Sequence, residues 1–214
     1  FLELNDAANL YTEVFNLWKQ YEKNLDLDFH VIKYENIITD FEKTIKKSRV
    51  CKKSKQSKKV PLFFMTDPER GQNALGLIKT LPRGTILIFR HYQVKKRASL
   101  AKKIRQACYQ KKIVCIIAED INLASKLNAD GIHLTERSLK RIAKRPRVKS
   151  KMIITAATHS FPMILKAKKL GLDAAIFSPI YPTLSHPGEK THGHLKLALI
   201  ASRTQLPIFV LGGI

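Results

Sequence analysis

The chain has 214 residues, 44% of them hydrophobic, and a formal net charge of +22 at pH 7. This length is enough for one barrel-sized domain with a substantial core. No apolar run approaches the roughly 20 residues that cross a bilayer, so we expect no membrane span and no secretory signal. The three cysteines have no metal-type spacing, which indicates a reducing compartment and a cytoplasmic protein.

The charge pattern divides the chain near residue 46. Residues 1–45 carry nine acidic and four basic side chains, whereas residues 46–60 carry eight basic side chains and no acidic one. The spacing of apolar residues predicts a helix over 5–25, a strand at Phe29–Tyr34 and a helix at Ile37–Lys46, an α-β-α segment too small for a good core of its own. Residues 47–60 read as a basic linker, the part of the chain that could also bind nucleic acid.

Residues 61–214 contain seven short apolar runs in which strands are expected. Amphipathic segments lie between most of them, and there are no hairpin signals, so the pattern predicts βαβ units and a parallel sheet. Seven repeats ending at Gly212-Gly213 favour a (β/α)₈ TIM barrel that stops after its seventh strand, and a doubly wound sheet is the alternative. The runs are Leu62–Met65, Ile86–Phe89, Ile113–Ile117, Gly131–Leu134, Met152–Thr155, Ala174–Phe177 and Ile208–Leu211.

Polar side chains follow these predicted strands, at the end of a barrel where enzymes place their chemistry. Arg90 offers a guanidinium fork for a diphosphate, and Glu119 with Asp120 could hold a Mg²⁺ that bridges phosphate oxygens. Hydroxyls and backbone amides suited to a terminal phosphate are those of Thr183, Ser185, Gly212 and Gly213.

Several of these residues have an alternative role in the fold. Asp120 is equally well placed to cap a helix that begins at Ile121, and Ser160 could cap the helix over Ser160–Leu170. An arginine at the end of a strand often pairs with a carboxylate. His133 lies in a strand pattern and suits a buried, hydrogen-bonded core position. One loop holds three histidines that fit either a metal site or a solvated segment, namely His186, His192 and His194.

Five segments, in this order, carry a resemblance to a known family: PLFFMTD, IIAEDINLASKLNADGIHL, ITAATHS, DAAIFSPIYPTLSHPG and LPIFVLGGI. Residues from about 60 to 214 resemble the thiamine-phosphate synthase/TenI superfamily of (β/α)₈ barrels. The resemblance implies a transferase that joins a hydroxymethylpyrimidine diphosphate to a thiazole phosphate, with loss of pyrophosphate and with Mg²⁺ as cofactor. Its partners would be these small phosphorylated substrates.

The resemblance also implies roles for individual residues. Of the family's Gln-Leu-Arg-x-Lys segment only Arg90 is kept, and the Asn-Asp pair of the metal site corresponds to Glu119-Asp120. The second metal aspartate falls at Ser138, and a serine of the fifth strand falls at Ala157. The implied thiazole-phosphate site consists of Thr183, Ser185, His186, Gly212 and Gly213, with His186 in the place of a lysine.

Other functions remain open at this point. TenI-type members use a histidine at the position of His159 for proton transfer, so a thiazole tautomerase or a non-catalytic barrel that binds thiazole or thiamine phosphate are alternatives. The catalytic candidates are therefore Arg90 and His159. A basic nucleic-acid-binding protein is a further alternative. Residues 1–46, with the segment KYENIITD, resemble a short piece of the TPR-associated sulfotransferase family, without its nucleotide-binding loop.

Overall fold

The computed structural model describes residues 62–68, 73–181 and 191–211, in which strands and helices alternate. The strands are β1 (Phe63–Met65), β2 (Ile86–Phe89), β3 (Val114–Ala118), β4 (Gly131–Leu134), β5 (Ile153–Thr158), β6 (Ala174–Phe177) and β7 (Ile208–Val210). The helices are α1 (Ala74–Thr80), α2 (Arg97–Lys111), α3 (Ile121–Lys126), α4 (Glu136–Arg141), α5 (Phe161–Lys169) and α6 (Gly193–Ser202). Each of the seven predicted apolar runs overlaps one strand, so the predicted alternation is confirmed, although β3 and β5 extend beyond their runs to Ala118 and Thr158.

The seven strands form one parallel sheet in the order β1 to β7, so each strand pairs with its neighbours in sequence. A doubly wound sheet would reverse its strand order in the middle. The observed order contains no reversal, so the doubly wound alternative is excluded. The sheet curves so far that its first and last strands approach each other. This is shown by the rings of Phe63 in β1 and Phe209 in β7, whose centroids lie 4.4 Å apart. The result is the nearly closed barrel predicted from the sequence.

Alternate residues of each strand face two different apolar layers. Side chains such as Ile88, Ile116 and Ile176 fill the barrel interior, while the residues between them pack against the helices outside. Both layers are buried, which explains why the strands read as continuous apolar runs. Gly131 is required in β4 because a Cβ there would lie 2.4 Å from the carbonyl oxygen of Ile153.

Two aspartates stabilise the amino-terminal end of the barrel in the same way. Asp130, just before β4, accepts a hydrogen bond from the backbone N–H of Cys115 in β3 (3.0 Å). Asp173, just before β6, accepts one from Ile154 in β5 (2.8 Å) and pairs with Arg145 at 2.9 Å. Each carboxylate therefore satisfies an amide at the start of the preceding strand, and we call these contacts the aspartate clamps.

The α-β-α segment at 1–46 and the basic linker at 47–60 lie outside the described residues, so their predicted organisation stays a prediction. Within the described ranges, no helix combines the length and apolar character that a membrane crossing needs.

Candidate active site

Arg90 directly follows β2 and lies at the carboxyl-terminal mouth of the barrel. Its backbone N–H donates to the Thr66 hydroxyl at 2.9 Å, which ties the end of β2 to the end of β1. Its guanidinium lies 3.7 Å from the sulfur of Met65, and its positive charge opposes the burial that raises the pKa of Tyr92. No carboxylate of the described residues forms an ion pair with Arg90. The mouth therefore presents a cation with hydrogen-bonding capacity to spare.

His133 lies inside the barrel and is 2% exposed. Its Nδ1 shares a 2.8 Å hydrogen bond with the hydroxyl of the buried Thr155 on β5. Burial, with the positive charge of Arg90 as a second cause, lowers the pKa of His133 to about 3. The imidazole is therefore neutral at physiological pH, and its interpretation as a hydrogen-bonded core histidine is confirmed.

His91 supports the backbone beside Arg90 from the helix side of the sheet. It is 6% exposed, stacks on Phe89 with ring centroids 4.9 Å apart, and shares a 3.0 Å hydrogen bond with the Thr66 hydroxyl. Burial lowers its pKa and outweighs the opposing effect of the Asp67 charge, and the Arg97 charge adds a smaller lowering. Thr66 thus contacts both the amide of Arg90 and the ring of His91, which fixes where the arginine leaves the strand.

Asp120 and Arg97 form an ion pair that joins the loops after β2 and β3. Asp120 Oδ1 accepts from the N–H of Leu123 at 2.8 Å, which confirms the predicted cap of α3, and Oδ2 accepts from Arg97 at 3.0 Å. The guanidinium also donates to the carbonyl oxygens of His91 and Ala118, each at 2.7 Å. All three contacts hold Arg97 in place, so it is a structural cation and not a free one.

Glu119 turns away from Asp120, toward the start of α4. Its φ of 65° is left-handed, a conformation that costs a non-glycine residue about 1–2 kcal/mol. Its Oε1 accepts from the backbone N–H of Thr135 at 2.5 Å, and its Oε2 accepts from the hydroxyl of Ser138. The carboxylate therefore spans the ends of β3 and β4.

The residues present do not fit a Mg²⁺ held by two carboxylates. The described part of the chain contains no cluster of three or more His, Cys, Asp or Glu side chains that could hold a metal ion. All four carboxylate oxygens of Glu119 and Asp120 already accept hydrogen bonds, and a cation on Asp120 would lie about 5 Å from the fixed Arg97 charge. The magnesium prediction stays a prediction, and we derive no catalytic step from it.

His159 follows β5 and is held at both its backbone and its ring. Its N–H donates to the carboxylate of Glu136, which opens α4 and also pairs with Lys140 at 2.7 Å. Although burial acts the other way, these contacts lower the pKa of Glu136. His159 Nδ1 lies 2.7 Å from the carbonyl oxygen of Ser178, and since a carbonyl only accepts, Nδ1 carries the proton. Nε2 is then free to accept one.

His192, from the predicted histidine-rich loop, lies close to His159. It immediately precedes α6 and stacks on Phe177 with centroids 4.3 Å apart, and its N–H donates to the carbonyl oxygen of Pro179 at 3.1 Å. Burial and the nearby Lys196 charge lower its pKa. The ring is therefore packed on the end of β6 and is not part of a solvated segment.

A cleft of about 580 Å³ opens at the mouth, within the usual size range of small-molecule sites. It is lined by Tyr92, Arg97, Glu119, Asp120, Ile121 and Asn122. Burial raises the pKa of Tyr92 despite the nearby Arg90, so its hydroxyl stays protonated and can donate. The structure thus brings Arg90, Glu119 and Asp120 together at one side of the mouth and His159 at another.

The predicted thiazole-phosphate residues all lie outside the described residues, namely Thr183, Ser185, His186, Gly212 and Gly213. The sequence analysis did not identify the roles of Arg97 and Glu136. Arg97 opens a predicted helix directly after the β2 loop, and Glu136 follows β4, so their positions at strand ends were the available signal.

Comparisons with known proteins agree with this barrel. The thiamine monophosphate synthase family model matches residues 62–214. A candidate thiamine-phosphate synthase 2 of Aquifex aeolicus is 32% identical over 158 residues, which are 72% of this chain and 84% of that protein. The thiamine-phosphate synthases of Lactococcus lactis and Pelagibacter ubique are 33% and 34% identical, and the chain covers 59% and 56% of their lengths.

A solved structure shares the fold. The thiamine phosphate pyrophosphorylase from Pyrococcus furiosus superposes with a TM-score of 0.58 at 23% identity, covering 72% of this chain and 75% of that one. The family match spans all seven strands and includes Arg90, Glu119, Asp120 and His159. This chain belongs to the thiamine monophosphate synthase family.

Proposed function

We propose that the protein is a thiamine-phosphate synthase-type transferase, which joins a hydroxymethylpyrimidine diphosphate to a thiazole phosphate and releases pyrophosphate. The observation that carries the proposal is the Arg90 guanidinium, which lies at the barrel mouth without an ion-pair partner among the described residues. A guanidinium can bind two phosphate oxygens at once. The family match and the names of the relatives support the same reaction.

Arg90 has the geometry of a group that stabilises a departing diphosphate. The bond between the pyrimidine's methylene carbon and the diphosphate oxygen breaks with its electron pair going to that oxygen, while the thiazole nitrogen forms the new bond to the carbon. Negative charge therefore grows on the leaving group. Thr66 and His91 fix the backbone of Arg90 before any ligand arrives, and such preorganised charge is effective in catalysis. The Tyr92 hydroxyl, beside the guanidinium, is a second donor at this position.

The remaining substrate would bind across the mouth. We assign the thiazole phosphate to Thr183, Ser185, His186 and the amides of Gly212 and Gly213. These residues follow β6 and β7, where barrel enzymes commonly build phosphate sites. The two substrates would then meet over the neutral, buried His133 and the other side chains of the interior.

Pyrophosphate release by the purified full chain tests this proposal. With both substrates present, Arg90→Met is expected to lower kcat/KM by about 100-fold or more, because it removes a preorganised charge that stabilises the leaving group. Arg90→Lys keeps a charge without the bidentate fork and should be intermediate. The matched control is Arg147→Met, which removes an exposed arginine before β5 at the opposite end of the barrel. Equal rates for Arg90→Met and the wild type would contradict the proposal.

A second candidate function rests on His159. Its Nδ1 is protonated by the bond to Ser178, so Nε2 can take a proton from one position of a thiazole ring and return it at another. That is the chemistry of a tautomerase. Solvent deuterium appearing in the thiazole phosphate without pyrimidine substrate, and lost in His159→Gln, would favour this function. Pyrophosphate release that survives His159→Gln would separate the two activities.

We place this reaction in the cytoplasm as part of the proposal, supported by Cys108 and Cys115, which are buried thiols without a disulfide. A non-catalytic barrel is the third alternative. It would bind thiazole phosphate in calorimetry but would catalyse neither pyrophosphate release nor deuterium exchange. The basic linker, and with it the nucleic-acid alternative, lies outside the described residues and stays a prediction.

A further inference from the structure

The two carboxylates at the mouth have all their oxygens engaged by donors of the chain itself. Glu119 accepts from the Thr135 amide and the Ser138 hydroxyl. Asp120 accepts from the Leu123 amide at 2.8 Å and from Arg97 at 3.0 Å. The four donors come from the three segments that follow β2, β3 and β4, so the contacts also hold these segments together.

The identity of these donors determines what else the carboxylates can bind. Arg97 is fixed by two carbonyl oxygens as well as by Asp120, so its positive charge cannot swing away when a cation approaches. Ser138 contributes a hydroxyl to Glu119, which adds no negative charge for a divalent ion. Mg²⁺ prefers sites with one or two available carboxylates. Here one carboxylate is neutralised by arginine and the other is bound by two N–H or O–H donors.

The mouth has another source of positive charge for a phosphate. Arg90 has no ion-pair partner among the described residues, and its guanidinium lies against the thioether of Met65. A guanidinium neutralises and orients phosphate oxygens without needing a bridging ion.

We propose that the mouth binds its phosphate or diphosphate ligand directly on Arg90 without a bridging divalent cation, because internal hydrogen bonds and the Arg97 ion pair occupy the carboxylates that would hold one. This inference rests on the proposed function for the class of ligand. The hydrogen bonds of Glu119 and Asp120 are a property of the chain alone, so their effect on cation binding is tested without any phosphate ligand.

The first experiment measures the melting temperature of the full chain in EDTA and in Mg²⁺. The wild type should show no rise. Ser138→Asp places a second carboxylate against Glu119, so it should be destabilised in EDTA and rise by roughly 3–6 °C in about 10 mM Mg²⁺. Ser138→Asn, the neutral isostere, is the matched control and should not respond. A Mg²⁺-dependent rise of roughly 3 °C or more in the wild type overturns the proposal, and this result is decisive even if the variant fails to fold.

The second experiment measures binding of inorganic pyrophosphate by calorimetry. The affinity in EDTA should equal or exceed that in Mg²⁺, and Arg90→Met should weaken it about tenfold or more while Arg147→Met leaves it unchanged. Binding that occurs only when Mg²⁺ is present overturns the inference. Absence of binding in both buffers would instead refute the proposed ligand class, while the melting temperatures still decide whether the carboxylates hold a cation.

Discussion

The buried His133 should make the stability of the barrel depend on pH in a way that one substitution removes. Its folded-state pKa is about 3, whereas the ordinary value is 6.5. Between these values the unfolded chain binds a proton that the folded chain does not, so stability from this site is complete above about pH 6.5 and falls as the pH falls toward 3. Each pH unit within that window costs about 1.36 kcal/mol of unfolding free energy.

The comparison uses His133→Asn, whose side-chain amide can still bond the Thr155 hydroxyl but does not titrate. Urea unfolding at pH 6.5 and at pH 4.5 should show the wild type losing about 2–3 kcal/mol more than the variant over those two units. Other histidines with lowered pKa values, such as His91 and His192, are present in both proteins and cancel in the difference. A difference between wild type and variant that is the same at both pH values would refute the reasoning.

Two further substitutions test the geometry of the mouth and of the interior. Arg97→Met removes two carbonyl contacts and the Asp120 ion pair, and we expect the free energy of unfolding in urea to fall by about 3 kcal/mol. Arg97→Lys keeps the charge but not the planar guanidinium, so it should restore only part of this stability. A loss below about 0.5 kcal/mol would show that the contacts of Arg97 do not stabilise the mouth. Gly131→Ala brings a Cβ to 2.4 Å from the Ile153 carbonyl oxygen and should cost about 1–3 kcal/mol, and an unchanged urea midpoint would contradict this contact.

The fold could be predicted from the sequence because its strands are buried on both faces. Such strands appear as short continuous apolar runs, and turns and amphipathic segments separate them. The two short helices α1 and α4 were not predicted. In α4 only Leu139 is buried, and six residues are too few to show a helical period.

The sequence predicts where the site lies but not which side chains contact each other within it. Strand ends identified Arg90, Glu119, Asp120 and His159, since parallel strands bring their carboxyl ends to one face. The partners of these side chains could not be predicted, because Arg97 and Asp120 are 23 residues apart and their contact depends on where two loops converge. The contact between Ser138 and Glu119 could not be predicted for the same reason, since these residues are 19 positions apart.

The aspartate clamps have a consequence for how this barrel can change. They recur two strands apart, at Asp130 and Asp173, and both lie at the amino-terminal end, away from the mouth. The β3–β4 and β5–β6 pairs are therefore each held by a carboxylate at the end of the barrel opposite the mouth. A residue at the mouth, such as Ser138, can be exchanged without disturbing those groups. Substitutions at the mouth of this barrel therefore leave the anchors of the β3–β4 and β5–β6 pairs in place.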